Sequence, residues 1–293
     1  MTQAFPDSRA TTSSWSEQWP PLEDPVDRLV VPAKRRLRLR EIFGHGEVIR
    51  VLAIRDFKAK YKQSLLGPVW VVFQPFALLL AFLVAFRGLG KVATSGIPYA
   101  VFTLVGLSAW TFFAASMTIG ASSILTNVSF VRYTPCPRPA FPIAAIIASL
   151  PSFAVTAVAA IVGAAATGVL SPRVVLLPLG LVWLLVLTLG SVGMCAALTV
   201  RFRDVTSALP FLLQLGVFFA PIGYSLAGLS PFMRKVVELN PVSGLIEALR
   251  WIVLSGYHPH LPAVAISLVL TVVIATFGWL VFSRRETTMA DVI

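Results

Sequence analysis

The sequence predicts an all-α integral membrane protein with six transmembrane helices, and three observations carry that prediction. Of the 293 residues, 57% are hydrophobic and only 13% charged, against roughly 45–50% and 25% in soluble domains. The apolar residues gather in six runs almost free of charge, each long enough for a ~30 Å hydrocarbon layer, and the mean hydropathy is +0.82. The formal net charge is +11, and long uncharged runs separate the charged residues. A soluble nucleic-acid binder would spread such a charge over a polar surface instead.

Residues 1–46 open the chain as a polar tail broken by Pro6, Pro20, Pro21, Pro25 and Pro32. Such a segment buries too little apolar surface to offset its ordering entropy, so it reads as a disordered, basic cytoplasmic tail. Its basic run, Lys34 to Arg40, has two readings. It attracts anionic headgroups, at about 1 kcal/mol per basic residue, or it is simply topogenic charge. The first apolar segment begins near residue 68, too late for a cleavable signal peptide. After Gly44-His45-Gly46, a helix is expected from Glu47 to Tyr61. Its apolar residues (Val48, Ile49, Val51, Leu52, Ile54, Phe57) spread around most of the circumference. That suits a short interface helix partly covered by its own bundle.

The six spans are expected at about 68–86, 97–120, 140–168, 173–199, 206–227 and 262–282. Pro68, Pro98, Pro139, Pro172 and Pro262 mark starts, where the missing N–H costs little. Pro75, Pro151, Pro178 and Pro221 fall inside and should kink or break their helices. With the N-terminus inside, the inner segments hold eighteen of the 24 Lys and Arg, and the outer loops hold Arg87, Lys91, Arg173, Arg234, Lys235 and Arg250. That bias puts both termini in the cytoplasm, and residues 1–67 decide it.

Between the fifth and sixth spans, Val242, Leu245, Ile246, Leu249, Ile252 and Val253 recur at helical spacing. Asn240 as N-cap and Pro241 at the first position signal a helix over 241–254, too short to cross the bilayer. Pro231 to Glu238 could form another. An interfacial or re-entrant hairpin on the outer face is the natural reading, with a plain surface loop as the alternative. Glu247 and Arg250, at i and i+3, are expected to project from the polar side as an exposed pair. Such a pair is worth a few tenths of a kcal/mol and opens readily, as a gate would require.

Much chemistry is missing. No Asp or Glu occurs between Asp56 and Asp204, and none of the six predicted spans holds a carboxylate or histidine. Coupling to an ion gradient ordinarily needs such a group within the membrane. Gly88-Leu89-Gly90-Lys91-Val92 resembles a phosphate loop only by chance: Ala85 stands where the first glycine belongs, and Val92 where Ser or Thr should follow. The three histidines, His45, His258 and His260, and the two cysteines, Cys136 and Cys195, suggest neither a metal site nor a disulfide framework. A protein built to move something, without an energy source, implies a partner that has one.

The stretch Arg55-Asp56-Phe57-Lys58-Ala59-Lys60-Tyr61-Lys62-Gln63-Ser64-Leu65-Leu66-Gly67-Pro68-Val69-Trp70, followed by Gln74-Pro75, closely resembles the signature of membrane subunits of ABC-2-type polysaccharide exporters. These are the permeases for O-antigen, teichoic acid and capsule. Asn127-Val128-Ser129-Phe130-Val131-Arg132 with Pro137-Arg138 and Pro142 resembles the family's loop between spans two and three. Phe202-Arg203-Asp204-Val205, with Pro210 and Phe219-Ala220-Pro221, resembles the approach to span five and its kink. Asn240-Pro241, Glu247-Ala248-Leu249-Arg250 and Glu286…Asp291-Val292-Ile293 resemble the outer gate and the tail. The resemblance covers 47–293. It departs at residues 1–46 and at Thr134-Pro135-Cys136.

The resemblance implies a homodimer of six-span subunits in the plasma (cell inner) membrane, each docked on a cytoplasmic ABC ATPase. Mg-ATP would bind that partner, with no cofactor or metal on this chain. Phe130, Arg132, Arg138, Arg203 and Asp204 would couple to the ATPase; positive-inside topology alone is the other reading of the arginines. The substrate would be a glycan on a polyprenyl-pyrophosphate carrier. Arg55, Asp56, Lys58, Lys60 and Lys62 would form the interface and attract the pyrophosphate, or contact headgroups. Sugars need a wet conduit with aromatic faces, for which Trp70, Phe73, Phe76, Trp110, Phe112, Phe113, Phe218 and Phe219 are candidates; lipid-facing or packing roles are the alternative. Asn240, Pro241, Glu247, Leu249 and Arg250 would form the outer gate. Rival classes are an ABC-2 drug or lipid efflux permease, a membrane-embedded glycosyl- or acyltransferase, and a channel. The transferase lacks its acidic or histidine cluster, and the channel lacks its rings of charge. The chain by itself is therefore expected neither to bind nor to hydrolyse ATP. Purified alone it should show no saturable nucleotide site and no shift in melting temperature with Mg-ATP.

Overall fold

The computed structural model describes residues 44–62, 64–87, 94, 96–133 and 136–285. The basic run Lys34–Arg40 and most of the 1–46 tail, the glycine-rich stretch 88–92 and the C-terminal 286–293 lie outside the described residues.

Ten α-helices occur among the described residues: α1 (Gly46–Tyr61), α2 (Trp70–Arg87), α3 (Tyr99–Ser122), α4 (Val128–Tyr133), α5 (Ala140–Ala166), α6 (Leu177–Thr199), α7 (Asp204–Gly216), α8 (Pro231–Glu238), α9 (Pro241–Val253) and α10 (Leu261–Arg285). Five stretches are long and apolar enough to cross a membrane: Gly67–Phe86, Tyr99–Ser122, Ala140–Ala166, Pro172–Thr199 and Leu261–Arg285. They correspond to the first, second, third, fourth and sixth predicted spans. This is an all-α, multi-pass membrane protein. Pro75 and Pro151 sit inside α2 and α5 as expected. Pro178 instead falls in the first turn of α6, after a 3₁₀ turn over Pro172–Leu176, where it displaces no helical hydrogen bond.

The fifth predicted span needs correcting. Its helix covers 13 residues of α7 and a three-residue 3₁₀ turn, Val217–Phe219, which is about 25 Å of rise. At Ala220 the backbone becomes extended (φ −106°, ψ 137°). Pro221 follows, with no N–H to continue the ladder. The chain then runs on as a non-helical stretch whose Ala220, Pro221, Ile222 and Gly223 are buried. Pro221 ends this helix rather than kinking it.

α3 is the hub. It packs against α5, α6, α9, α2 and α7, and Phe102, Leu107 and Phe112 along it are fully enclosed. α2 and α10 keep much of their surface exposed. α1 packs on α5 and sets Ile49, Leu52 and Ala53 against Ala140, Phe141, Ala144, Ala196, Ala197 and Phe282. That contact gathers at one end of the bundle α1, the starts of α5 and α7, and the ends of α3, α6 and α10. α8, α9 and their connections occupy the other end.

α6 and α10 cross at small residues. A Cβ added at Gly190 would stand 2.5 Å from the Ala275 Cα, and one added at Gly278 would collide with the Gly190 carbonyl. Backbones approach this closely only where side chains are absent, which is how helices gain packing energy in lipid. Beside the crossing, Trp183 Nε1 donates to Thr271 Oγ1 (2.8 Å). Gly278→Ala should therefore lower the apparent melting temperature of the purified protein, at a cost of about 1–3 kcal/mol for overpacking. Gly193→Ala, whose added Cβ meets its nearest neighbour at 3.8 Å, should leave it unchanged.

Candidate functional site

At the α1 end, an open cleft of about 600 Å³ is lined by Arg55, Asp56, Lys60, Thr118, Asn127 and Phe130, with the hydroxyl-bearing Ser122, Ser123, Thr126 and Ser129 beside them. It lies between the C-terminal half of α1 and the turn from α3 into α4. Arg55 Nη2 donates to Asp56 Oδ1 (2.6 Å), and its guanidinium sits 5.5 Å from the Phe130 ring centre. Asn127 is buried, its Nδ2 donating to Ser123 O (2.7 Å) and closing the turn. The structure thus joins two sets that the sequence kept apart: Arg55, Asp56 and Lys60 of the expected interface set, and Phe130 of the expected coupling set.

The other residues of those sets stand elsewhere. Lys58 and Lys62 are exposed but do not line the cleft. Arg132 lies on α4. Arg138 is half-buried in the turn before α5. Arg203 and Asp204 are exposed at the start of α7. Asp204 occupies that helix's first turn, where a carboxylate is favoured by the helix dipole. That is a local reason for an acidic residue on a basic face.

The candidate aromatics divide. Phe73, Phe76, Phe218 and Phe219 are exposed, and Trp70 is half-buried against Phe73 (5.3 Å, edge-on). Trp110, Phe112 and Phe113 are not available to a conduit, because they are enclosed in the core. Phe112 meets Phe153 at 6.0 Å. Trp110 lies so close to Gly216 that a Cβ there would be 2.7 Å from its ring. On the central helix, these rings fill the gaps towards α5 and α7.

At the opposite end, α9 begins as expected, with Asn240 Oδ1 accepting from Val242 N (3.0 Å) and Pro241 in the first turn. The helix is then buried on nearly every side, between α3, α6 and α10. A Cβ on Gly244 would strike the Ala263 carbonyl, and Ser267 Oγ donates to Pro241 O. Where α9 ends, Ser171 N donates to Val253 O (2.9 Å) and Ser255 N to Val169 O (2.8 Å), a short ladder that no sequence pattern announced. Arg173 stacks on Trp251 at 4.5 Å and donates to Leu254 O (3.3 Å).

The Glu247–Arg250 pair forms, at 3.5 Å, but the two side chains are only 2% and 0% exposed. It is not the loosely held surface pair that the helical spacing suggested. Arg250 Nη2 donates to the carbonyls of Pro221 (2.5 Å) and Ile222 (2.7 Å), Nη1 to Tyr224 O (3.5 Å) and Nε to Phe102 O (3.4 Å). Its guanidinium lies 3.5 Å from the centre of the Phe102 ring. Glu247 accepts from Tyr257 Oη (2.7 Å) and His260 N (3.0 Å). His260 Nδ1 in turn lies 3.1 Å from Glu238 Oε1. Breaking such a buried pair costs about 3–5 kcal/mol, because the partner left behind stays charged and dry. Tyr257, Phe102 and the 221–224 carbonyls were invisible in the sequence. The available signal was an arginine inside a 13-residue apolar stripe, which has to find partners.

Residues 47–254 match the ABC-2 type transporter family. The chain belongs to that family. Its ABC-2 region opens in the first turn of α1 and closes at the C-cap of α9, so it takes in both ends just described. Among curated proteins, the O-antigen export system permease protein RfbA of Myxococcus xanthus is 27% identical over 252 residues, covering 85% of this chain and 96% of that protein. A protein of the same description from Klebsiella pneumoniae is 22% identical over 250 residues, covering 84% and 95%. Among the described residues of this ABC-2 chain, no group of three His, Cys, Asp or Glu is placed to hold a metal ion.

Burial holds the Tyr257 hydroxyl above its usual value of 10.0; nearby Arg250 opposes this and Glu247 reinforces it. The stabilisation from its neutral hydroxyl is intact below pH 10. It is lost as the pH climbs further, when the unfolded chain sheds a proton that the folded chain retains. Tyr257→Phe should cost about 1–3 kcal/mol at neutral pH by stripping Glu247 of a donor. It should also flatten the fall in apparent melting temperature above pH 10; thermal melts across pH 7–11 check both.

Proposed function

We propose that this chain is the permease half of an ATP-driven exporter that moves a polyprenyl-pyrophosphate-linked polysaccharide from the cytoplasm to the outer face of the plasma membrane. The observation that carries the reading is the similarity to permeases named for O-antigen export, over 95–96% of their length. Two physical features support it. Among the described residues, the buried carboxylate of Glu247 is neutralised by Arg250 and that of Glu238 sits beside His260. Neither is a lone buried carboxylate of the kind gradient coupling uses, which favours a partner ATPase as the energy source. Gln74 on α2 and Gln214 on α7 are both exposed, in company with Phe73, Phe76, Phe218 and Phe219. An amide facing lipid is costly, whereas amides beside aromatic faces suit a hydrated sugar chain passing between this subunit and a second copy.

In this reading the α1 end faces the cytoplasm, with both termini on that side. The ATPase seats against α4 and the 200–204 turn, where Phe130, Arg132, Arg138, Arg203 and Asp204 make its contacts. Arg55, Lys58, Lys60 and Lys62 draw the carrier's pyrophosphate to the mouth of the conduit. Arg55 over Phe130 links that basic helix to the coupling turn.

Deletion of the chain should abolish surface polysaccharide and leave lipid-linked glycan in the cytoplasmic leaflet. Unchanged surface glycan would refute the proposal. Asp204→Ala or Arg138→Ala should impair export while the subunit stays folded and in the membrane, since deleting one side of a charged interface strands the other. Surface-glycan immunoblots beside a membrane-fraction blot of the subunit check this, and normal export in both variants would remove those turns from the coupling role.

A further inference from the structure

The helix α7 stops about one turn short of a full crossing, and its buried continuation leaves the carbonyls of Pro221, Ile222 and Tyr224 without helical partners. In a low-dielectric interior each such group would cost several kcal/mol unpaired. Arg250, reaching from α9, takes all three and adds Phe102 O from the first turn of α3. Gly106 makes the approach possible. A Cβ there would stand 3.0 Å from Ile222 Cα and 3.3 Å from Arg250 Nη2. The positive charge is balanced within the same cluster by Glu247, which Tyr257 Oη and the His260 amide hold from the other side. With its donors turned onto carbonyls and Glu247, its face on Phe102 and no exposed surface, Arg250 has nothing left for a passing ligand.

We propose that Arg250 is a positioning residue that latches α9 to the end of α7 and the head of α3, so that these three move as one body during transport and α9 does not swing aside as a gate. Leu249 follows the same logic: it is buried against Gly180 of α6, with a Cβ on that glycine falling 2.6 Å from Leu249 Cδ2. Opening at this end then requires motion of the whole body, or of the exposed α8 hairpin ahead of it. Only the turnover arm of the following test rests on the ATP-driven reading.

The complex with its ATPase is placed in lipid nanodiscs, in a background with Cys136 and Cys195 replaced by alanine, and treated with a membrane-impermeant maleimide with and without Mg-ATP. Phe232→Cys on α8, at a residue 75% exposed, should be labelled in both conditions, and Leu249→Cys in neither. Labelling of Leu249→Cys during hydrolysis would overturn the proposal. In parallel, amide exchange is measured over 222–224 and 242–253. Arg250→Met should accelerate exchange in both segments together, by about a hundredfold or more. Arg250→Lys keeps the charge beside Glu247 but cannot fork across four carbonyls, and should accelerate both by less. Should Arg250→Met fail to fold, the lysine variant alone decides. A rise confined to one segment, or no rise in either, would show that the two are not latched. A complex that hydrolyses no ATP would count against the exporter reading, while exchange at rest would still decide the latch.

Discussion

Inside a membrane every backbone polar group must find its partner within the protein, and much of the α9 end of this molecule follows from meeting that condition at one place. Helix α7 breaks at Ala220-Pro221, and the freed carbonyls fall to a single guanidinium from α9. To bring Arg250 there, α9 must enter the bundle rather than lie on it. That requires Gly244 against Ala263, Gly106 against Ile222, and Gly180 against Leu249. Bringing in a positive charge requires Glu247, and holding Glu247 requires Tyr257 and the backbone of His260. The loop geometry, the glycine positions and the buried acid are thus consequences of one broken helix.

The α1 end is built on a different principle. Its described charges are half-exposed or exposed, and its ion pairs, Arg55–Asp56 and Arg50–Glu47, each lie within α1, so each contact is worth little by itself. Such a surface suits a partner that engages and releases with nucleotide state. α3 connects the two ends. It carries Phe102 under Arg250 at one terminus, and at the other it leads through Asn127 into α4, which bears Phe130. Its enclosure among five helices makes it the stiff member that joins the proposed coupling contacts to the proposed latch.

Length and hydropathy were sufficient for the fold class and for five of the six apolar spans within a few residues, and helix breakers, caps and periodicity for α1, α8 and α9. Those signals are local: an apolar run of some twenty residues has few alternatives in lipid, and Asn240-Pro241 or Ser230-Pro231 caps a helix through the chain's own nearest amides. The family signature around Arg55–Trp70 was legible for the same reason, being a contiguous string of residues. What periodicity could not say is which way a residue faces once several apolar helices compete for the same interior. Trp110, Phe112 and Phe113 look in sequence just like Phe73 and Phe218, yet α3's central place buries the first three while α2 and α7 leave the others open. Glu247 and Arg250, three residues apart, read as a surface pair. Only tertiary packing, by closing α3, α6 and α10 over α9 and presenting the Pro221, Ile222 and Tyr224 carbonyls, turned a weak exposed contact into a dry, charge-balanced cluster, because the worth of a charge is set by the dielectric and the partners around it, and the fold supplies both.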